Sequence, residues 1–306
     1  MIVAGIDLGT NTTRLLVAEV EDGRLRELHR ETRITRLGEG VDARRRLLPV
    51  PVARVRNVLS DYRRTSESFG AERTLAVATS AVRDAENGEA FLGEIEWSYG
   101  FATQMLDGDE EARLTFRGVA TGREVSDGTL VVDVGGGSTE LIVGAAGGVG
   151  FHRSLDIGCV RLTERYGDDL DASAAQVRKA LPELDVEQAI GVAGTVTALA
   201  ALDLGLVEYD ATRVHGHLLT RAGVAVQLER LAALPPEERR RVPGLEPDRA
   251  PVIVAGAVIL REVLDRYGLT EIEASEQDIL DGAALLAAEL PATAEGAAPP
   301  GAHTCC

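Results

Sequence analysis

Two short glycine-rich turns of the same design occur in this chain, one in each half. The first spans residues 6–14 and the second spans residues 132–140. Each follows an apolar run that ends near an aspartate, Asp7 or Asp133, and each leads into a second apolar run. The pattern predicts a strand, a tight turn and a returning strand, because glycine adopts the backbone conformations that such turns need. The duplication predicts a fold built from two related domains.

The tips of both turns are suited to binding phosphate. Successive backbone N–H groups form a nest for phosphate oxygens, and glycine lets the main chain approach an anion closely. An aspartate at the end of the strand can hold a divalent cation that screens the phosphate charge. One such turn alone could be an ordinary hairpin that its aspartate stabilises. Because there are two, we expect them to face each other across a cleft and to clamp phosphate.

Length and composition indicate a globular protein of two domains. The chain has 306 residues, of which 45% are hydrophobic and 26% are charged. A formal net charge of −17 argues against nonspecific binding to nucleic acid or to a membrane surface. No apolar stretch is long enough to span a bilayer, and the three cysteines do not form a disulfide framework. We therefore expect a cytoplasmic protein with neither nucleic acid nor membrane as a partner.

Local clusters of arginine would have to attract a polyanionic substrate to a chain this acidic. One candidate patch comprises Arg33, Arg36 and residues 44–46, and a second comprises residues 239–241. Solvated charge on loops and helix ends is an equally good interpretation of each.

Hydrophobic spacing predicts the order β-β-β-α-β-α in each half. In the first half, strands are predicted at 2–8, 14–20, 25–36 and 74–79, and helices at 52–69 and 112–122. In the second half, strands are predicted at 129–134, 140–145, 149–156, 189–193 and 271–274, and helices at 172–182, 222–234, 247–267 and 276–290. A third glycine turn, residues 194–197, enters a further helix. The stretch 291–306, which contains Cys305 and Cys306, is predicted to be disordered because it has little apolar content.

This duplicated unit resembles the ribonuclease-H-like superfamily of actin, heat-shock ATPases and sugar kinases. A closer resemblance is to the exopolyphosphatase/guanosine pentaphosphatase (Ppx/GppA) phosphohydrolases, and it covers the chain to about residue 290. The stretches that carry it are 6–15, 78–83, 108–114, 133–141, 191–197 and 275–282. The chain looks like the short form of that family, without the additional C-terminal helical region of longer members. The resemblance implies an α/β fold of two ribonuclease-H-like domains, 1–124 and 125–275, with the active site in the cleft between them and helix 276–290 crossing back to the first domain.

The resemblance also implies a role for individual residues. Glu111 matches the base that activates water, and Arg83 matches an arginine directed toward the substrate phosphates. Asp133 and Glu140 match the acidic residues around a divalent metal, usually Mg²⁺, and the chemistry of the first turn adds Asp7 as a candidate ligand. The phosphate loops are matched by Gly9, Thr10 and Asn11, and by Gly135, Gly136, Gly137 and Ser138. The chain departs from the family pattern at Thr10, where serine is frequent, and at Gln277, where an imidazole or a charged group is common.

The function that these features predict is metal-dependent exopolyphosphatase activity, the release of orthophosphate from the end of inorganic polyphosphate. The 5′-phosphohydrolysis of guanosine pentaphosphate (pppGpp) is an alternative, because both substrates present a terminal phosphoanhydride. Two further alternatives are an ATPase or kinase of the same superfamily and a noncatalytic alarmone-binding protein. Lys179, the single lysine, lies in the second half, whereas the heat-shock ATPases use a lysine in their first domain. The resemblance also implies a homodimer.

Overall fold

The computed structural model describes residues 1–145 and 147–291. It forms two compact units, and the first is made of two separate parts of the chain. Unit 1 comprises Met1–Gly122 together with the segment that begins at Ile279, and unit 2 comprises Arg123–Asp278. Apart from residue 291, the stretch predicted to be a disordered tail, including Cys305 and Cys306, lies outside the described residues.

Unit 1 is built on one mixed five-stranded sheet with the strand order β3-β2-β1-β4-β5. The first three strands are antiparallel neighbours, and β4 and β5 then continue the sheet in parallel. The elements of its first part are β1 (Ile2–Leu8), β2 (Thr12–Glu21), β3 (Arg24–Ile34), α1 (Val41–Arg44), α2 (Pro49–Ser68), β4 (Arg73–Ala78), α3 (Ser80–Arg83), α4 (Gly88–Tyr99), β5 (Ala102–Met105) and α5 (Gly108–Val119).

Unit 2 is built on a mixed six-stranded sheet with the strand order β10-β11-β9-β6-β7-β8. Its elements are β6 (Thr129–Val134), β7 (Thr139–Ala145), β8 (Gly148–Leu155), α6 (Cys159–Tyr166), α7 (Leu170–Ala180), β9 (Gln188–Val192), α8 (Ala193–Asp203), α9 (Ala211–Val214), β10 (Leu218–Thr220), α10 (Arg221–Ala232), α11 (Pro236–Arg239), α12 (Ile253–Arg266) and β11 (Glu271–Ala274). The last helix, α13 (Ile279–Glu289), belongs to unit 1.

The two sheets repeat one topology. Strands β3-β2-β1-β4-β5 of unit 1 correspond in order and direction to β8-β7-β6-β9-β11 of unit 2, to which β10 adds an antiparallel edge. Both units are therefore ribonuclease-H-like α/β domains, and the predicted fold class is confirmed.

Helix α13 packs closely on the sheet of unit 1 and on α5, and glycine is required at both contacts. A Cβ atom on Gly5 of β1 would lie 2.8 Å from the backbone nitrogen of Ala284. A Cβ atom on Gly282 would lie 2.1 Å from the carbonyl oxygen of Leu114 in α5. Since the predicted base Glu111 lies in the first turn of α5, this packing fixes the helix that positions it.

The longest helix of the described residues, α2, is amphipathic. Val52, Val55, Leu59 and Tyr62 are buried along one face, at the spacing expected of a helix that covers a sheet. Within residues 1–145 and 147–291, no helix has both the length and the apolar character needed to cross a bilayer.

The structure contains elements that the sequence pattern missed, and two predicted helices begin later than expected. Helices α1, α4, α6, α9 and α11 and strands β5 and β10 were not predicted. Helix α12 begins at Ile253 rather than at residue 247, because proline at positions 247 and 251 interrupts a helical backbone. Helix α13 begins at Ile279 rather than at residue 276 because residues 275–278 form a turn, in which the Gln277 N–H donates to Ser275 Oγ at 3.1 Å.

One member of the second arginine patch, Arg239, does not lie on the surface. Arg239 is buried, and its guanidinium donates hydrogen bonds to the carbonyl oxygens of Leu231, Leu234 and Ala250. Burial lowers the pKa of Arg239. Its role is to satisfy three carbonyl groups at the end of α10 and before α12, so the prediction for residue 239 was wrong. The sequence pattern did not distinguish this buried arginine from its exposed neighbour Arg241.

Candidate functional site

The turn between β1 and β2 is closed by one backbone hydrogen bond. The Gly9 N–H donates to the carbonyl oxygen of Thr12 at 3.0 Å. A Cβ atom on Gly9 would lie 3.0 Å from that same oxygen, so the close turn favours glycine. The strand register then places Asp7 directly opposite Arg14, whose Nη2 lies 2.8 Å from Asp7 Oδ2.

The two polar residues at the tip of this turn, Thr10 and Asn11, have different surroundings. Thr10 Oγ1 is hydrogen-bonded to Ser80 Oγ at 2.9 Å, which ties the turn to the start of α3. The side-chain nitrogen of Asn11 is buried and makes no hydrogen bond within the described part of the chain. Buried donors in folded proteins are nearly always paired, so this amide has the character of a group that binds a ligand.

The turn between β6 and β7 repeats the first one. The Gly135 N–H donates to the carbonyl oxygen of Ser138 at 3.1 Å, and the strand register places Asp133 directly opposite Glu140. Both carboxylates are buried, and Glu140 Oε1 accepts a hydrogen bond from Ser154 Oγ at 2.7 Å.

The residue opposite the aspartate differs in charge between the two turns. In unit 1 Asp7 faces the cation Arg14, and in unit 2 Asp133 faces a second carboxylate, Glu140. Like charges directly opposite each other on antiparallel strands repel, and a cation held by both would relieve that repulsion. Mg²⁺ is bound by one or two carboxylates together with water and substrate phosphate oxygens. Asp133 and Glu140 therefore fit a magnesium ion, whereas Asp7 already pairs with an arginine.

Among the described residues, no larger acidic or histidine cluster competes with that pair. In the described ranges, no three histidine, cysteine, aspartate or glutamate side chains come together as a metal site.

The first turn of α5 presents two adjacent glutamates in different environments. Glu110 completes a capping box: its backbone N–H donates to Asp107 Oδ1 at 2.8 Å, and its Oε2 accepts from the Asp107 N–H at 2.9 Å. Glu111 is 5% exposed, and its Oε2 accepts a hydrogen bond from Arg83 Nη1 at 3.0 Å. Capping thus accounts for Glu110 and leaves Glu111 for another role.

The environment of Glu111 brings its pKa close to neutrality. Burial raises the pKa of Glu111 to about 7, Arg83 opposes this rise, and the nearby charges of Asp7 and Asp84 add to it. A carboxylate with a pKa near 7 is suited to general-base catalysis at neutral pH.

Arg83 contacts protein groups in the structure. The same Nη1 that contacts Glu111 also donates to the carbonyl oxygen of Leu106 at 2.6 Å. Its side chain is 26% exposed. Arg83 thereby orients the carboxylate of Glu111, a role that the sequence pattern did not indicate.

Two histidines of unit 2 and the third glycine turn make contacts that serve the local structure. His217 Nε2 is hydrogen-bonded to Asp203 Oδ2 at 2.8 Å, and His215 Nδ1 accepts from the Glu276 N–H at 3.2 Å. At the third glycine turn, a Cβ atom on Gly194 would lie 2.0 Å from Arg249 Nη1, so a guanidinium packs directly on that glycine.

Arg161 is a residue near the second turn that the sequence analysis did not single out. It is 8% exposed, and its Nε donates to the carbonyl oxygen of Gly137 at 2.7 Å. No signal in the sequence separates it from the exposed arginines, because polar contacts of this kind depend on tertiary structure.

Comparison with known proteins places the chain among phosphatases. The model of the Ppx/GppA phosphatase family matches residues 16–285. The exopolyphosphatase 2 of Mycobacterium tuberculosis is 40% identical over 92% of this chain and 97% of its own length. The guanosine-5′-triphosphate,3′-diphosphate pyrophosphatase of Photobacterium profundum is 31% identical over 88% of this chain and 55% of its own length.

The same relationship is seen in a solved structure. The crystal structure of an exopolyphosphatase from Cytophaga hutchinsonii superposes with a TM-score of 0.83 at 25% identity, covering 92% of this chain and 96% of that one.

The two tip residues of the first turn should differ in their effects on stability. Asn11→Ala removes a donor that has no partner within the described residues, so we expect the free energy of unfolding to change by less than about 1 kcal/mol. Thr10→Val breaks the bond to Ser80 and leaves a buried hydroxyl unpaired, so we expect a loss of about 1–3 kcal/mol. Urea denaturation measures both. An Asn11→Ala variant as unstable as Thr10→Val would show that Asn11 serves the fold.

Proposed function

The chain belongs to the Ppx/GppA phosphatase family, and we propose that it is an exopolyphosphatase. In this reaction the terminal phosphoanhydride bond of inorganic polyphosphate is hydrolysed and orthophosphate is released. The observation that carries the proposal is Glu111, a buried carboxylate with a pKa of about 7 in the same unit as the first glycine turn. The pattern of relatives supports polyphosphate as the substrate, because the exopolyphosphatase is more similar and matches along nearly its whole length.

Hydrolysis of pppGpp is the second candidate function. It is supported by the pyrophosphatase relative, whose name specifies a guanosine substrate. Both reactions need the same base and the same anion-binding turns, since each substrate ends in a phosphoanhydride. A phosphate-release assay with polyphosphate, pppGpp and ATP side by side distinguishes the two functions and tests the kinase and ATPase alternatives. Binding without any release of phosphate would favour an alarmone-binding protein.

The residues of unit 1 supply the proton transfer in this proposal. Ionised Glu111 accepts a proton from water as the water oxygen attacks the terminal phosphorus. The bond from that phosphorus to the bridging oxygen breaks, and its electron pair leaves with the shortened chain. Arg83 Nη1, which lies 3.0 Å from Glu111 Oε2, holds that carboxylate in place during the reaction. The Asn11 amide and the backbone N–H groups of the turn bind phosphate oxygens.

We propose Asp133 and Glu140 as the ligands of Mg²⁺, supported by their position opposite each other in unit 2. When bound, the ion would screen the negative charge of the phosphates. Asp7 remains a candidate ligand from the sequence, although its pairing with Arg14 favours the other two. A homodimer and a cytoplasmic location are further proposals, which rest on the family resemblance and on the cysteine content.

Replacing the proposed base should reduce turnover much more than substrate binding. Glu111→Gln keeps the size and hydrogen-bonding capacity of the side chain but removes its basicity. We expect kcat for polyphosphate to fall about 100- to 10,000-fold, with KM changed little. Steady-state phosphate release measures both constants.

Glu110→Gln is the matched control for that variant. Glutamine at this position still completes a capping box, so we expect kcat to stay within about threefold of the wild-type value. Near-normal kcat in Glu111→Gln, or a greater loss in Glu110→Gln, would mean that the base is assigned wrongly.

Removal of metal should stop the reaction. We expect excess EDTA to abolish phosphate release and added Mg²⁺ to restore it. Asp133→Asn should raise the Mg²⁺ concentration for half-maximal activity at least about tenfold, and Asp7→Asn should raise it less because Asp7 pairs with Arg14. Full activity in chelator would contradict the metal proposal, and a larger effect of Asp7→Asn would reassign the ligands.

A further inference from the structure

In the second glycine turn, the carbonyl oxygens of residues 135–137 all accept hydrogen bonds from residues at the start of α6. The Cys159 N–H donates to the Gly135 oxygen at 3.0 Å, and the Val160 N–H donates to the Gly136 oxygen at 2.8 Å. Helix α6 comes this close because Gly158 precedes it: a Cβ atom there would lie 2.4 Å from the carbonyl carbon and oxygen of Gly136. The backbone thus accounts for two of the carbonyl groups.

The third carbonyl group is bound by a side chain. Arg161 Nε donates to the Gly137 oxygen at 2.7 Å, and Arg161 is 8% exposed. In the first turn the equivalent carbonyl, that of Asn11, instead accepts from the backbone N–H groups of Thr35 and Arg36. In the second turn this carbonyl group is therefore bound by a buried arginine side chain, whereas in the first turn it is bound by backbone N–H groups.

These contacts determine the direction of the N–H groups that follow. In a planar trans peptide the C=O bond and the next N–H bond point in opposite directions. Because the oxygens of Gly135, Gly136 and Gly137 point toward α6, the N–H groups of Gly136, Gly137 and Ser138 point away from it. Three consecutive N–H groups with a common direction form an anion nest. Glycine at position 137 has little intrinsic preference for one backbone conformation. The orientation of the peptide that follows it therefore needs a contact from elsewhere in the protein.

We propose that Arg161 is a positioning residue for phosphate binding. It orients the peptide between Gly137 and Ser138 so that the Ser138 N–H points toward the substrate, and it acts through hydrogen-bond donation from Nε. The inference rests on the proposed function for the identity of the ligand, a chain of phosphates.

Three replacements of Arg161 distinguish the effect of its hydrogen-bond donor from the effect of its positive charge. In Arg161→Gln, the side-chain Nε2 occupies the same place along the side chain as the arginine Nε, so the donor is retained and the charge is lost. Arg161→Lys keeps the charge but places its nitrogen one bond further out. Arg161→Met keeps neither. Arg165→Met, an exposed arginine of the same helix, is the control.

The dissociation constant for tripolyphosphate tests the proposal, measured by calorimetry in the Glu111→Gln background, whose turnover we expect to be about 100- to 10,000-fold slower. We expect Arg161→Gln and Arg165→Met to bind within about threefold of the parent, and Arg161→Met to bind about tenfold more weakly or worse. Arg161→Lys should bind more weakly than Arg161→Gln. If Arg161 acted only by attracting the phosphate anion with its charge, Arg161→Lys would bind more tightly than Arg161→Gln. That order of affinities would overturn the proposal.

Thermal midpoints show whether each variant folds. If Arg161→Met fails to fold, the comparison of glutamine with lysine still decides, and a folded Arg161→Gln variant that binds tenfold more weakly overturns the proposal.

Failure of the proposed function gives a different result. A wild-type chain that binds tripolyphosphate without releasing phosphate refutes the enzymatic function, while the order of the Arg161 variants still tests the positioning role.

Discussion

Both candidate sites depend on one backbone constraint, a hairpin turn that a glycine N–H closes onto an oxygen three residues later. That bond, from Gly9 to Thr12 or from Gly135 to Ser138, fixes the register of the strands on either side. The register in turn decides which residue faces the aspartate at the end of the first strand. A shift by one residue would place every side chain of the strand on the opposite face of the sheet. The chemistry of each turn therefore follows from its geometry.

The two copies of the hairpin have diverged in charge within the same geometry. In unit 1 an arginine opposite Asp7 balances its charge inside the protein. In unit 2 a glutamate lies opposite Asp133 instead, and this pair of carboxylates is the basis of the proposed Mg²⁺ site. The charge of Asp7 also contributes to the raised pKa of Glu111. Duplication thus supplied one backbone design, and substitution at a single position of the hairpin gave each copy a different electrostatic role.

The fold and the two turns could be predicted from the sequence because their signals are local. Apolar runs with an aspartate and glycines between them identify β1–β2 and β6–β7 without any tertiary information. Strand β5 has four residues and was too short to give a periodic signal. The hydrogen bonds of Arg83, Arg161 and Arg239 to carbonyl oxygens could not be predicted, because an arginine that binds a carbonyl group looks the same in sequence as an arginine in solvent. Only the resemblance to a family distinguished Glu111 from Glu110, and the capping box gives the physical reason for that difference.

The pH dependence of kcat/KM tests most directly the claim that Glu111 is a base tuned by its surroundings. A carboxyl group with a raised pKa is protonated, and inactive as a base, below that pKa. At saturating Mg²⁺ we expect kcat/KM for polyphosphate to rise tenfold per pH unit below about pH 7 and to level off above it. Since Arg83 lowers the pKa of Glu111, Arg83→Gln should move this limb to higher pH, and Glu111→Gln should lack it. A wild-type profile that stays flat down to pH 5, or an unchanged limb in Glu111→Gln, would contradict the account.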